Sequence, residues 1–105
     1  MKPPAIGYLR RDISGVTQPW DETQIRSLAE KLGYRFTKTV VFSERTTDPI
    51  GRLREVVATV GAEAVVVPNL AHLGGVLPAG LAADCEVVTV SPEVTHARRL
   101  PTLLG

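Results

Sequence analysis

The chain holds a single cysteine, Cys85, which excludes an internal disulfide and fits a reducing compartment. With Asp84 before it, a strand-like run after it and no histidine or second cysteine nearby, it reads as a small buried or half-buried residue rather than a reactive thiol. Neither sign of charge dominates. The formal net charge is +1, so there is no broad basic footprint for nucleic acid. The denser basic clusters, Arg10-Arg11, Arg52/Arg54 and Arg98-Arg99, read as solvated surface. No apolar run reaches membrane-spanning length, and Met1-Lys2-Pro3-Pro4 lacks the apolar stretch of a signal peptide. A cytoplasmic protein with no membrane contact is expected. A glycine-rich phosphate loop, metal-ligand spacing and a catalytic-triad pattern are all missing. His72 and His96 stand far apart and unaccompanied, which favours surface or packing roles. Neither a metal nor a cofactor is expected. The sequence has no internal repeat and no low-complexity segment.

What is present points to alternating strands and helices. A length of 105 residues, 44% apolar and 22% charged, suits one domain, residues 1–105, around a single core. Ala5 to Arg10 reads as a first strand, with Pro3-Pro4 barring regular structure ahead of it. Arg11 to Pro19 reads as a loop. Asp21 then looks like a helix N-cap, with Gln24 completing a capping box and Trp20 as a hydrophobic staple. Ile25, Leu28, Ala29 and Leu32 follow on one helical face, and Gly33 is placed to end it. Arg35 to Phe42 is a second strand, and Ser43 to Thr47 a polar loop. Asp48-Pro49 caps a second helix bearing Ile50, Leu53, Val56, Val57 and Val60, which Gly61 closes. Ala64-Val65-Val66-Val67 is apolar throughout, as a strand covered on both faces requires. Leu77 to Ala83 forms a weak third helix, and Glu86 to Val90 a fourth strand. The tail from Glu93 to Gly105 is irregular or a short helix, too short for another domain. This alternation predicts an α/β fold. Its sheet is mainly parallel, of four to five strands, with right-handed crossovers and helices on both faces.

In such sheets, chemistry collects where the strands end at their carboxyl side. The stretch Gly7-Tyr8-Leu9-Arg10 runs from a buried strand into a polar loop and a glycine, so a site is expected around Arg10 to Ser14. Residues 5–92 resemble the N-terminal catalytic domain of serine recombinases, the resolvase and invertase family. The matching pieces are Gly7-Tyr8-Leu9-Arg10, Gln24 entering a helix that ends Leu32-Gly33-Tyr34, Phe42-Ser43 after the second strand, and Leu73-Gly74 after the Val65-Val66-Val67 strand.

The resemblance implies a resolvase-like fold. It also implies a chemistry in which a serine hydroxyl attacks a DNA phosphodiester while arginines neutralise the phosphate. Where the family pattern Tyr-x-Arg-x-Ser places the nucleophile, this chain has Asp12, whose carboxylate would repel a phosphate. The family's Asp-Arg-Leu-Gly-Arg is Ala71-His72-Leu73-Gly74-Gly75 here, without either arginine. His72 is a weaker cation that lacks the guanidinium fork. The family's Asp-Arg-Pro is Asp48-Pro49-Ile50, for which Arg45 or Arg52 would have to stand in. Arg10 alone is kept in register.

The expected function is therefore a non-catalytic, recombinase-like interaction or regulatory module. It would act through self-association or a protein partner, with weak nucleic acid binding or none. Tyr8, Arg10, Asp12, Ser14, Ser43 and His72 form a vestigial pocket, in which Tyr8 and Arg10 serve either an anion or simply the packing of the strand end. Two alternatives stay open. One is a strand-cleaving enzyme in which a two-residue insertion makes Ser14 the nucleophile, followed by Gln18 and assisted by Arg10 and Arg45. The other is a small-anion or nucleotide binder at the loop after the first strand.

Overall fold

The computed structural model describes residues 1–99. Five strands form one sheet in the order β2-β1-β3-β4-β5. They are β1 (Pro4–Arg10), β2 (Arg35–Phe42), β3 (Ala64–Val67), β4 (Glu86–Thr89) and β5 (Val94–His96). The first four run parallel, and β5 pairs antiparallel to β4, with Val88 opposite Thr95. Four α-helices connect them: α1 (Arg11–Ser14), α2 (Gln18–Lys31), α3 (Pro49–Val60) and α4 (Ala79–Asp84). The α/β class and the mostly parallel sheet match the hydrophobic patterning of the sequence. A radius of gyration of 13.0 Å is that of a compact chain of this length.

Strand alternation divides the core into two layers. Ile6, Tyr8, Val65, Val67 and Val87 turn to one face and pack with Leu53, Val57 and Leu81 of α3 and α4. Ala5, Leu9, Ala64, Val66 and Val88 turn to the other, against Ile25, Leu28 and Ala29 of α2. All four residues of β3 are fully buried, the signature of a strand with helices over both sides. Cys85 sits in the first layer, and burial pushes its thiol up to about 12, in keeping with an inert packing role.

The second helix of the sequence reading is realised as expected. Asp48 caps α3 by accepting from the Gly51 amide at 3.2 Å, and Gly61 ends the helix in the left-handed region. The first helix is not. Residues 11–17, expected as loop, form α1 and a 3-10 turn over Gly15–Thr17, broken only by the positive φ of Gly15. Helix α2 begins at Gln18 rather than beyond Asp21, with Pro19 accommodated in its first turn, where a missing N–H costs nothing. Trp20 is therefore helical and 64% exposed, not a staple. Leu32 falls at the C-cap and is exposed as well. The tail begins with β5 instead of irregular chain or helix. Residues 100–105 of that tail lie outside the described residues.

Candidate functional site

The connectivity selects one edge of the sheet. From β1 the chain crosses by α2 to β2 on one side, then returns by α3 to β3 on the other. The direction of winding thus reverses between β1 and β3, and their carboxyl ends flank the crevice where ligands of such sheets bind. Arg10 is the last residue of β1. A short 3-10 turn after β3, Leu70–Leu73, carries His72. The two loops are joined directly, because the Arg10 backbone N–H donates to His72 Nδ1 at 2.9 Å.

That bond fixes the chemistry of His72. An accepting Nδ1 is unprotonated, so the neutral ring carries its proton on Nε2. The residue is 2% exposed, and burial holds its pKa below the usual histidine value, with the Asp21 carboxylate opposing. His72 is a neutral acceptor that ties two loops together. The accepting Nδ1 and the burial both favour the neutral ring, in line with the weak cation read from the sequence.

The Arg10 guanidinium is already engaged. Nε donates to Asp12 Oδ1 at 3.2 Å and a terminal nitrogen donates to Oδ2 at 2.6 Å, a two-pronged pair with each side chain about a quarter exposed. The pairing follows from position: Arg10 ends the strand and Asp12 lies in the first turn of α1, two residues later. Tyr8, one alternation back on β1, is fully buried, its ring edge-on to Phe42 with centroids 5.6 Å apart. Its hydroxyl has no hydrogen-bond partner among the described residues. Burial raises the phenol's pKa, and Arg10 pulls it the other way.

Ser14 lies apart from this pair. Its hydroxyl donates to Asp21 Oδ2 at 2.7 Å, and the residue is 7% exposed. The Thr17 hydroxyl lies 2.8 Å from the Ser14 carbonyl and 3.1 Å from the same Asp21 oxygen, sharing one proton between two acceptors. Asp21 and Thr17 thus belong to the site, and neither was assigned there from the sequence. The signal was present in the spacing: Ser14, Thr17 and Asp21 stand at i, i+3 and i+7. Reading residues 11–19 as loop concealed that helical face.

Ser43 and Arg52 are occupied locally. Ser43 Oγ accepts from the Arg45 amide at 3.2 Å, while the Ser43 amide donates to Thr46 Oγ1 at 3.1 Å, closing a polar turn. Arg45 is exposed on that turn. Arg52 Nε donates to the Thr47 carbonyl at 2.9 Å, fastening the same loop to α3. Hydrogen bonds join Arg10, Asp12 and His72 at the end of β1, Tyr8 lies in the buried layer two residues back, Ser14 is tied to Asp21, and Ser43 is held in its own turn.

Among the described residues, hollows open at both edges of the sheet. The larger, about 1040 Å³, lies at the opposite, amino-terminal edge of the strands, between α3 and the start of β4. One of its arginines is already spent on a 2.7 Å pair, Arg54 to Asp84. The smaller, about 360 Å³, opens at the carboxyl edge beside Asp21. No group of three or more potential metal ligands occurs among the described residues, and no helix there is long and apolar enough to cross a membrane. Searches against protein-family models, curated proteins and solved structures match nothing to this chain.

Proposed function

We propose that the chain is a serine-recombinase-like domain that keeps a resolvase-type scaffold without its strand-cleaving chemistry. It works as an interaction or regulatory module, through self-association or a protein partner. The observation that carries this reading is the two-pronged Arg10–Asp12 pair. The one arginine in register with the family's phosphate cradle is neutralised by a carboxylate occupying the nucleophile's place. A phosphate approaching Arg10 must break that pair or come close to Asp12. At about 4 Å such a repulsion is worth roughly 1 kcal/mol in water and roughly 4 kcal/mol near a protein surface. Removing a single preorganised donor typically slows a reaction by about 10²- to 10³-fold, and here several are absent together. Ser14, the other candidate nucleophile, gives its proton to Asp21 and is almost wholly covered.

The test is covalent trapping. Incubation of the protein with supercoiled DNA, followed by a denaturing gel, should show no protein–DNA adduct. An adduct from the wild type that Ser14→Ala abolishes would overturn this reading in favour of a Ser14 enzyme. With a net charge of +1, fluorescence anisotropy at physiological salt should show only weak, salt-sensitive and sequence-blind DNA binding, if any. Light scattering across a concentration series should give a mass above the 11.3 kDa of one chain if the module associates with itself.

A further inference from the structure

We infer that the cleft at the carboxyl ends of β3 and β4 is a binding site for a neutral, planar heteroaromatic ring, a nucleobase or nucleoside without phosphate. The cleft holds about 360 Å³, near the lower bound of roughly 300–1,000 Å³ for small-molecule sites. That is room for a base or a nucleoside and too little for a dinucleotide. It adjoins the β1/β3 reversal but is separate from the Arg10–Asp12 pair, so this assignment does not depend on the recombinase-like reading.

Its walls are suited to a flat ring. Helix α2 contributes Trp20, which is 64% exposed although it is the only tryptophan in the chain and lies next to a covered core. The strand ends contribute Pro68 and Val90. An indole beside apolar groups offers a stacking platform to any base. The polar groups are few and of the right kind. Gln24 makes no hydrogen bond among the described residues, and Asn69 uses only its Oδ1, accepting from the Ala71 amide at 3.0 Å. Both amides therefore retain donors, and Gln24 an acceptor as well. Such paired groups match the donor–acceptor edge of a base. Charge decides against phosphate. The lining carries the Asp21 carboxylate and no lysine or arginine, so an attached phosphate would meet a like charge without a compensating cation. A free sugar would need its ring of hydroxyls satisfied by Gln24, Asn69 and Ser91, whereas the ribose of a nucleoside can remain in solvent while the base stacks.

Because Trp20 is the sole tryptophan, its emission reports the cleft directly. The full chain is titrated with adenosine, guanosine, cytidine and uridine, with their 5′-monophosphates, and with glucose as a sugar probe. The expected result is saturable quenching by at least one nucleoside, with its monophosphate about tenfold weaker or more. Gln24→Ala should weaken that nucleoside about tenfold at an unchanged melting temperature. Calorimetry with Trp20→Ala, which removes the fluorophore, should show binding lost or reduced by about tenfold. Non-saturable quenching by every nucleoside, tighter binding of a monophosphate, saturation by glucose instead, or an unaffected Gln24→Ala would each overturn the assignment.

Discussion

Replacing Gly7 by alanine tests how tightly β1 is seated beneath α2. A Cβ at this position would lie 2.5 Å from Ile25 Cγ2, 3.0 Å from Thr39 Oγ1 and 3.4 Å from Phe36 Cε1, where comfortable carbon contacts fall near 3.5–4.0 Å. Two effects oppose each other. Removing a glycine from a strand interior reduces the freedom of the unfolded chain and stabilises by about 0.5–1 kcal/mol. Forcing a methyl into a filled layer costs about 1–3 kcal/mol. The clash should win, because the nearest atom is the branch methyl of a fully buried isoleucine with a stiff χ1 and cannot swing aside. The expected net loss is about 1–2 kcal/mol. At about 4–8 °C per kcal/mol for a domain of this size, thermal melting followed by circular dichroism should show a clear decrease. Ile25→Ala alone should cost about 2–5 kcal/mol, but combined with Gly7→Ala it makes room for the new methyl. The double variant should then fall short of the summed losses by more than about 0.5 kcal/mol. A Gly7→Ala protein melting at or above the wild-type temperature would refute the close packing of β1 on α2.

Val66→Asp should leave no soluble folded protein, since Val66 is fully buried between Gly7 of β1 and Val88 of β4 and a lone charge there is prohibitive. A variant melting within a degree or two of the wild type would contradict the central place of β3. Because burial lowers the pKa of His72 in the folded state, the unfolded chain binds more protons below the ordinary histidine value near 6.5. Stability should therefore fall as pH drops through that value and level off below the folded pKa. Urea titrations at a series of pH values should show a shallower slope for His72→Gln than for the wild type, and equal slopes would exclude His72 as the source. Asp12→Ser removes a partly exposed ion pair and should cost no more than about 1 kcal/mol. It restores the Tyr-x-Arg-x-Ser pattern yet should form no adduct with supercoiled DNA, and an adduct from this variant would show that only the nucleophile had been missing.

Local chemistry that acts within a few residues was legible from the start. Asp48-Pro49 and Gly61 bound α3 because a cap and a left-handed terminus depend on their immediate neighbours. Ala64 to Val67 could only be a strand covered on both faces, since four consecutive β-branched or small apolar residues have no side left for solvent. Even the Arg10–Asp12 pair was within reach, because two residues at a strand end meet without help from the rest of the chain. The segment 11–19 was not legible. Gly15 and Pro19 are local breakers, and what overrides them is the Asp21 carboxylate taking hydrogen bonds from Ser14 and Thr17 as α1 packs beside β1. Likewise, β5 has only three residues and little pattern of its own. It is a strand because the open edge of β4 offers unpaired N–H and C=O groups. His72 shows the difference most sharply. From the sequence it was an isolated side chain, a weak cation at best, 62 positions from Arg10. Only when the β1/β3 neighbourhood is built does it become a buried, neutral acceptor for the Arg10 amide. Its protonation depends on desolvation by residues distant in the chain, which no local window contains.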